Sequence, residues 1–485
     1  MIQHSTRVTQ IIDKVMHCKF DDPTDLLKLI LIEKSGHVQI DSIGAMHPLE
    51  LEEFELHCIG KRTGYSMRIG FFCPNEGFAG NFGYLPLELE NHGCEVLWLF
   101  GTIAGYLESN HKNKWLIIND MARRIYGIDA IVTASVMDCL PNGPLHVLHD
   151  HLSFAHFDLE GHIDRLLHST GRENRALSSL RELFNDLSAF VAFLPFYDLI
   201  LTPSQAITDL TLKALYFSGY DSLPFLSGAP ENKLKLDTIS HLVDVKSYRD
   251  NITVFQSGYC KLDAPIRQYG NTPAENIIVF APTPNDTTGN KENPLWTSVL
   301  VVNSHGVELL RNLCQNFPDY KIIFKPYKDE LPEVVENIRR KLSDCTNLEI
   351  DGCGSMYWDL YSRTKILISD FSSTAYTFAL GIGRPVVFFS PNEDSLPEEA
   401  LNNTYCRNRC KIGLVAKTTN EVAKAISIMI GDYHKFLSRV SDFRQQNCVQ
   451  PGYASAAGAA AIVSAISERR KEQPLGNMGI RLKRS

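Results

Sequence analysis

Three stretches of this chain combine residue types able to carry group-transfer chemistry. The first runs from Ile366 to Ser390 and reads ILISDFSSTAYTFALGIGRPVVFFS. Two short apolar runs, Ile366–Ile368 and Val386–Phe389, have the character of buried parallel strands. Between them Asp370-Phe371-Ser372-Ser373-Thr374 leads into a helix over Ala375–Leu380, closed by Gly381 and Gly383, and Pro385 opens the next strand. A helix start offers unpaired N–H groups and a partial positive charge. Ser372, Ser373 and Thr374 add hydroxyl donors at low bulk, so this turn suits a phosphate or diphosphate. Plain helix capping by the same Ser and Asp residues is the competing reading.

The second stretch is Leu145-His146-Val147-Leu148-His149-Asp150-His151. A strand that carries His149 to its tip presents an imidazole whose pKa lies near neutrality, suited to taking the proton of an attacking hydroxyl. His151 is the alternative base, and Asp150 can orient either ring. A metal site built from His-Asp-His is weaker, because neighbours on an extended segment point alternately to opposite sides. A structural or capping role also stays open. The third stretch, Tyr320 to Tyr327, reads as a strand ending in Lys325, a point charge able to neutralise a phosphate if it is not simply solvated.

The elements around these residues keep an α/β rhythm. MRIGFFCP, from Met67, is a strand, and Asn75 to Asn81 is a Gly-rich loop. Tyr84–Asn91 is then a helix and Cys94–Phe100 a strand, the opening of a Rossmann-like half. The loop lacks GxGxxG, so a dinucleotide site is not indicated. Asn75, Gly80 and Asn81 either contact an acceptor or only make the turn. Further strands are expected at Trp115–Ile118, Ala130–Thr133, Leu145–Leu148, Leu199–Leu201, Asn251–Ser257, Asn276–Phe280 and Leu348–Ile350. Helices are expected over Thr24–Glu33, Thr297–Asn316, Glu330–Ser343, Glu421–Ile430 and from Ala454. His156, His162 and His168 are spaced so that they miss a common helix face, and read as solvated.

At 485 residues the chain can form two or three domains. It is 44% hydrophobic and 21% charged, the balance of a soluble globular protein. The net charge of −8 argues against a general nucleic-acid binder. No apolar run approaches a membrane span, and the first residues lack the apolar core of a signal peptide. The 12 cysteines show no CxxC pairs, which favours reduced thiols in a cytoplasmic enzyme over disulfides or zinc.

The stretch around Asp370 resembles the signature of the CDP-glycerol glycerophosphotransferase family, the teichoic-acid polymerases and primases. Asp370-Phe371-Ser372-Ser373 and Gly383-Arg384-Pro385 match its pattern, while Thr377, ahead of Phe378-Ala379, takes the place of the family's second Asp. Gly258-Tyr259-Cys260-Lys261-Leu262-Asp263 is similar to the family's Gly-x-Pro-Arg-x-Asp, with Cys260 for Pro and Lys261 for Arg. Ala281-Pro282-Thr283 matches its Ala-Pro-Thr, with Asn285 where an Arg is usual. His149 corresponds to the family's base, followed by Asp150 instead of Gly, and Tyr327 stands where a His follows Lys-Pro. Tyr357 or Trp358 would frame a nucleotide base, if they are not core.

The resemblance runs from Met67 to Glu468 and implies a GT-B architecture, two Rossmann-like domains facing across a cleft. Residues 1–66 are then an N-terminal extension, 67–262 an acceptor domain, 263–440 a nucleotide-donor domain, 441–468 a crossover helix region and 469–485 a basic flexible tail. The implied reaction moves an alditol phosphate from a CDP-linked donor to a glycan or lipid-linked hydroxyl. His149, with His151 and Asp150, would be catalytic. Ser372, Ser373, Thr374, Lys325, Asp370, Thr283, Thr377 and Asn81 would bind substrate. No cofactor or metal and no nucleic acid is implied, and the basic tail could touch anionic lipid at the inner face of the cell membrane. Two alternatives stand beside this: a nucleotide-sugar glycosyltransferase on the same fold, and a non-catalytic nucleotide-binding subunit.

Overall fold

Short runs rich in Ile, Val, Leu and Phe form strands buried on both faces, as parallel sheets require. The computed structural model describes residues 67–73, 76–100, 109, 111, 114–116, 128–135, 144–149, 194, 197–218, 252–270, 272–284, 301–327, 330–352, 357–396 and 398–472. The strands are β1 (Arg68–Cys73), β2 (Glu95–Phe100), β3 (Lys114–Leu116), β4 (Ala130–Thr133), β5 (Leu145–His149), β6 (Leu199–Thr202) and β7 (Thr253–Gln256), then β8 (Ile277–Phe280), β9 (Lys321–Phe324), β10 (Leu348–Ile350), β11 (Ile366–Ser369), β12 (Val386–Phe389) and β13 (Gly413–Ala416). They make one sheet of order β3-β2-β1-β4-β5-β6-β7 and another of order β10-β9-β8-β11-β12-β13. All five pairings of the second sheet are parallel.

The helices used below are α1 (Leu85–Asn91), α2 (Gln205–Ser218), α3 (Asp263–Tyr269), α4 (Val302–Asn316), α5 (Pro332–Lys341), α6 (Trp358–Arg363), α7 (Thr374–Ile382), α8 (Thr404–Ile412), α9 (Thr419–Gly431), α10 (Tyr433–Asn447) and α11 (Ala454–Glu472). The packing separates two compact units. One holds β1, β2, β3 and most of β4; the other holds β6 to β13 and all of these helices. In the first unit, Arg68 pairs with Glu95 of the adjacent strand at 2.8 Å and its backbone N–H donates to Asp129.

In the second unit, side-chain alternation along the six strands feeds two cores. Val279, Ile323, Leu367, Val386 and Phe388 face the cluster formed with α7, α8 and α10. Their neighbours Ile278, Phe280, Ile322, Phe324, Ile366, Ile368, Val387 and Phe389 face the cluster formed with α4, α5 and α9. A sheet covered by helices on both sides is the doubly wound half expected from the sequence.

Helix α8 and strand β13 are among the elements of this half that were not anticipated. Helix α8 starts at Asn403, whose side chain accepts from the Cys406 N–H at 2.8 Å, and buries Tyr405, Arg409 and Ile412. Its buried face includes a charged residue, which hides the apolar period. Strand β13 begins at Gly413, where a Cβ would collide with the Val386 carbonyl of β12.

Helix α11 brings the chain's last described element back to earlier ones. Ala454, Ser455, Ala459, Ile462 and Ile466 are buried along one face, and Gly458 lies against Leu85 of α1 and Leu201 of β6. Small side chains permit this close approach. The start of α11 is held by the buried Asp263, whose carboxylate accepts from the N–H groups of Ala454 (3.1 Å) and Ser455 (2.6 Å). Burial holds this carboxyl above the usual carboxylate range. The Asp of the Gly-x-x-x-x-Asp element is thus a helix cap reaching across about 190 residues of chain. Gly258 in the same element has φ +93°, and a side chain there would strike the Val449 carbonyl. The helix expected from Ala454 is present and runs to Glu472. Among the described residues no helix is long and apolar enough to cross a membrane.

Candidate active site

The order β10-β9-β8-β11-β12-β13 means that the chain winds outward from β8 to β10 and then returns to the other side of β8 at β11. The switch point therefore lies between β8 and β11, and in such sheets ligands collect beyond the carboxyl ends at this point. Two residues singled out in the sequence meet there. Thr283 follows β8, and Asp370 follows β11 at once. Both carboxylate oxygens of Asp370 accept from the Thr283 N–H at 3.0 Å, and one accepts from Thr283 Oγ1 at 2.8 Å. The Ser372 N–H donates to the same carboxylate at 3.1 Å. Asp370 is 2% exposed, and burial outweighs these bonds, pushing its pKa up to about 6. Its contacts fasten the β8 loop to the serine turn, which makes it a positioning residue.

A second layer of bonds shapes that turn. The hydroxyl of Tyr405 on α8 donates to the carbonyls of Asp370 (3.2 Å) and Ser372 (3.0 Å). Ser372 Oγ accepts from the Thr374 N–H at 3.3 Å, and Thr374 Oγ1 meets the Tyr361 hydroxyl at 3.0 Å. Ser373 is exposed, with Ser372 and Thr374 half-buried beside it at the start of α7. Thr377, in the place of the family's Asp, is buried one turn further on. Its Oγ1 donates to the Ser373 carbonyl at 3.1 Å. It closes the first turn of α7 from inside, whereas Ser373 faces outward.

The Gly383-Arg384-Pro385 match has a structural explanation. Gly383 ends α7 in the left-handed conformation, φ +83°, and a Cβ there would collide with the Arg444 guanidinium. Arg384 is buried and donates to the carbonyls of Ser362 (2.7 Å), Thr364 and Thr272, so it binds the carboxyl end of α6 and the approach to β8 together.

Lys325 follows β9, the strand next to β8. It is 7% exposed and pairs with Asp351, beyond the end of β10, at 3.0 Å. Its charge is therefore held at the same carboxyl edge but shared with a carboxylate. Tyr357 stacks near Trp358 and Tyr361 at the start of α6, in part core, as the alternative reading allowed.

In the other sheet, His149 is the last residue of β5, opposite Leu201 of β6, as the strand-tip expectation requires. It is 1% exposed, and its ring lies 5.9 Å from the buried ring of Phe82. Asn81 precedes Phe82 in the glycine-rich loop, and its side-chain Oδ1 accepts from Lys261 Nζ at 3.0 Å. Lys261 in turn lies 5.8 Å from the centre of the Tyr357 ring. Asp150, His151 and Asn75 lie outside the described residues, as do Asn285, residues 1–66, His156, His162, His168 and the tail beyond Glu472.

Residues 250–463 match the family described as CDP-Glycerol:Poly(glycerophosphate) glycerophosphotransferase. This segment carries the likeness to that family. It contains the whole Asp370–Thr283 arrangement, Lys325 and the Asp263 cap. Among solved structures, the wall teichoic acid polymerase TagF in a histidine variant soaked with CDPG is 13% identical, with a TM-score of 0.54. The likeness covers 96% of this chain and 98% of that one. TagF in a histidine-to-alanine variant is 14% identical, also at 0.54, over 97% and 99% of the two chains. At this identity the likeness is one of fold, and the fold is GT-B, as the sequence implied. No curated protein matches the chain.

Sequence reasoning missed Tyr405 and Tyr361 as residues that shape the serine turn, and the bond of Lys261 to Asn81. Tyr405 lies 35 positions from Asp370, and nothing in the spacing announces their contact. Lys261 was noted only for keeping the charge of the family's Arg.

Proposed function

We propose that this chain is a transferase that moves a glycerol-type alditol phosphate from a CDP-linked donor to a hydroxyl of a glycan or lipid-linked acceptor in cell-wall or capsule polymer synthesis. The family of residues 250–463 supports the donor and the reaction class. The observation that carries the reading is the Asp370–Thr283 tie at the β8/β11 switch point, which holds Ser372, Ser373 and Thr374 at the start of α7.

The acceptor oxygen attacks the phosphorus next to the alditol, the bond from that phosphorus to the bridging oxygen breaks, and CMP leaves. His149 takes the proton of the attacking hydroxyl. The N–H groups and hydroxyls of the Ser372–Thr374 turn bind the charge that grows on the departing phosphate, and Lys325 contributes a second positive field from the adjacent strand end. Thr283 reinforces the turn through Asp370. Asn81, tied to Lys261, lies on the acceptor side. The basic tail after α11 gives a peripheral contact with anionic lipid.

The experiment is product analysis with purified chain, CDP-glycerol and a prenyl-linked saccharide acceptor. A phosphodiester in the product and stoichiometric CMP support the proposal. A glycosidic bond formed from a nucleotide sugar would replace it with the glycosyltransferase alternative. Replacing His149 by Ala is expected to lower turnover by about 10²–10⁴-fold with nucleotide affinity nearly unchanged; unaltered turnover reassigns the base.

A further inference from the structure

Given that the Ser372–Thr374 turn binds the donor diphosphate, on which this role rests, we propose that the Arg409–Glu393 ion pair is a positioning device for that turn. The pair holds Phe371, and through it the serines that follow, in the shape that grips phosphate. Glu393 opens a single 3₁₀ turn, Glu393–Ser395, which leaves the carboxyl end of β12. Arg409 lies on α8, one helical turn after Tyr405.

Arg409 is charged and yet only 3% exposed. Its Nη1 donates to Glu393 Oε2 at 3.0 Å, its Nη2 donates to Glu393 Oε1, and its Nε donates to the Cys406 carbonyl at 3.4 Å. The Glu393 side chain is itself 15% exposed. The guanidinium carbon lies 5.2 Å from the centre of the Phe371 ring and 5.9 Å from that of Phe388. Tyr405 stacks on the same Phe371 ring, with centres 6.0 Å apart and planes at 18°. Its hydroxyl donates to the carbonyls of Asp370 and Ser372, the residues on either side of Phe371. Two residues of α8 therefore hold this ring, and one of them also holds the backbone around it.

A charge taken out of water costs heavily unless it is paired and hydrogen-bonded. Even when paired, it contributes little more to stability than apolar side chains of similar size. What the pair supplies is geometry. The planar fork of the guanidinium meets a carboxylate through two parallel bonds, which fix α8 against the segment after β12. A cation beside an aromatic ring is attracted to it, which fixes Phe371 against both. Ser372 follows Phe371 directly, so a displaced ring carries the N–H groups and hydroxyls of the turn with it. Arg409 and Glu393 thus act through Phe371, without touching the donor.

The test compares CDP with cytidine, because only CDP offers phosphates to the turn. Equilibrium binding gives both affinities for the native full chain and for the double variant Arg409→Met/Glu393→Met, in which apolar side chains of similar length replace the pair. The double variant should melt within a few degrees of the native chain. Its preference for CDP over cytidine should nevertheless fall about tenfold or more, the weight of one charge-assisted hydrogen bond. A purely structural role would weaken both ligands together, or lower the melting temperature alone. Phe371→Leu keeps the ion pair and removes the ring, so it should lose the same preference, and it decides the question if the double variant does not fold. A native preference for CDP that survives in the variants overturns the positioning role and leaves the donor reading intact. A native chain that shows no preference for CDP overturns the donor reading and this role with it.

Discussion

Replacing Asp370 by Asn tests how the serine turn is held. The carboxyl titrates near 6 in the folded chain against 3.8 ordinarily, because its burial outweighs the bonds from Thr283 and Ser372. A folded value above the unfolded one means that the native state binds the proton more tightly between these two pH values. The stability from this group is then complete below 3.8 and is lost as pH rises through about 6. A shift of roughly two units corresponds to about 3 kcal/mol. Asn keeps the shape and carries no charge, so the variant lacks this slope. Measured by urea denaturation at a series of pH values, the variant should gain on the native chain by about 2 kcal/mol between pH 4 and pH 7, most of the full difference. The comparison cancels every other titrating group. Two stability profiles that stay parallel across this range would refute the claim that Asp370 is ionised at a cost inside the fold. The same variant should bind cytidine diphosphate more weakly, since one oxygen that orders Thr283 and Ser372 is replaced by an amide donor.

Two further expectations concern neighbouring features. Ser373→Trp fills the exposed rim of the turn and should raise the Kd for CMP or CDP at least about 100-fold, the loss of two charge-assisted hydrogen bonds; isothermal titration with native-like affinity would move the donor elsewhere. Asp263→Ala leaves the N–H groups of Ala454 and Ser455 without their carboxylate and should cost about 2–4 kcal/mol in urea denaturation; a loss under about 0.5 kcal/mol would mean the cap is not what holds α11.

The contrast between legible and illegible parts follows interaction range. Strands such as Ile366–Ser369 and Val386–Phe389 could be read because a doubly buried parallel strand is a local run of apolar residues. The serine turn could be read because its cap, helix and closing glycine are consecutive. Arg384 shows the limit: its motif was recognisable, but its task of gathering three carbonyls from Thr272, Ser362 and Thr364 depends on segments 20 to 112 positions away. Lys325 shows another. The sequence placed it at a strand end, yet its pairing with Asp351 follows from the β9–β10 register, in which the strands end side by side.

The sequence by itself determined the α/β rhythm, the serine-lined helix start and the histidine at a strand tip. Each of these is set by neighbours along the chain, through apolar periodicity, capping and turn chemistry. Tertiary structure alone decided that Thr283 and Asp370 meet, that Tyr405 buttresses the turn, and that Asp263 caps a helix some 190 residues later. Those contacts arise from strand order: β8 and β11 become neighbours only after the chain has wound out to β10 and back. No local preference encodes that adjacency, because it results from burying both faces of one sheet at once.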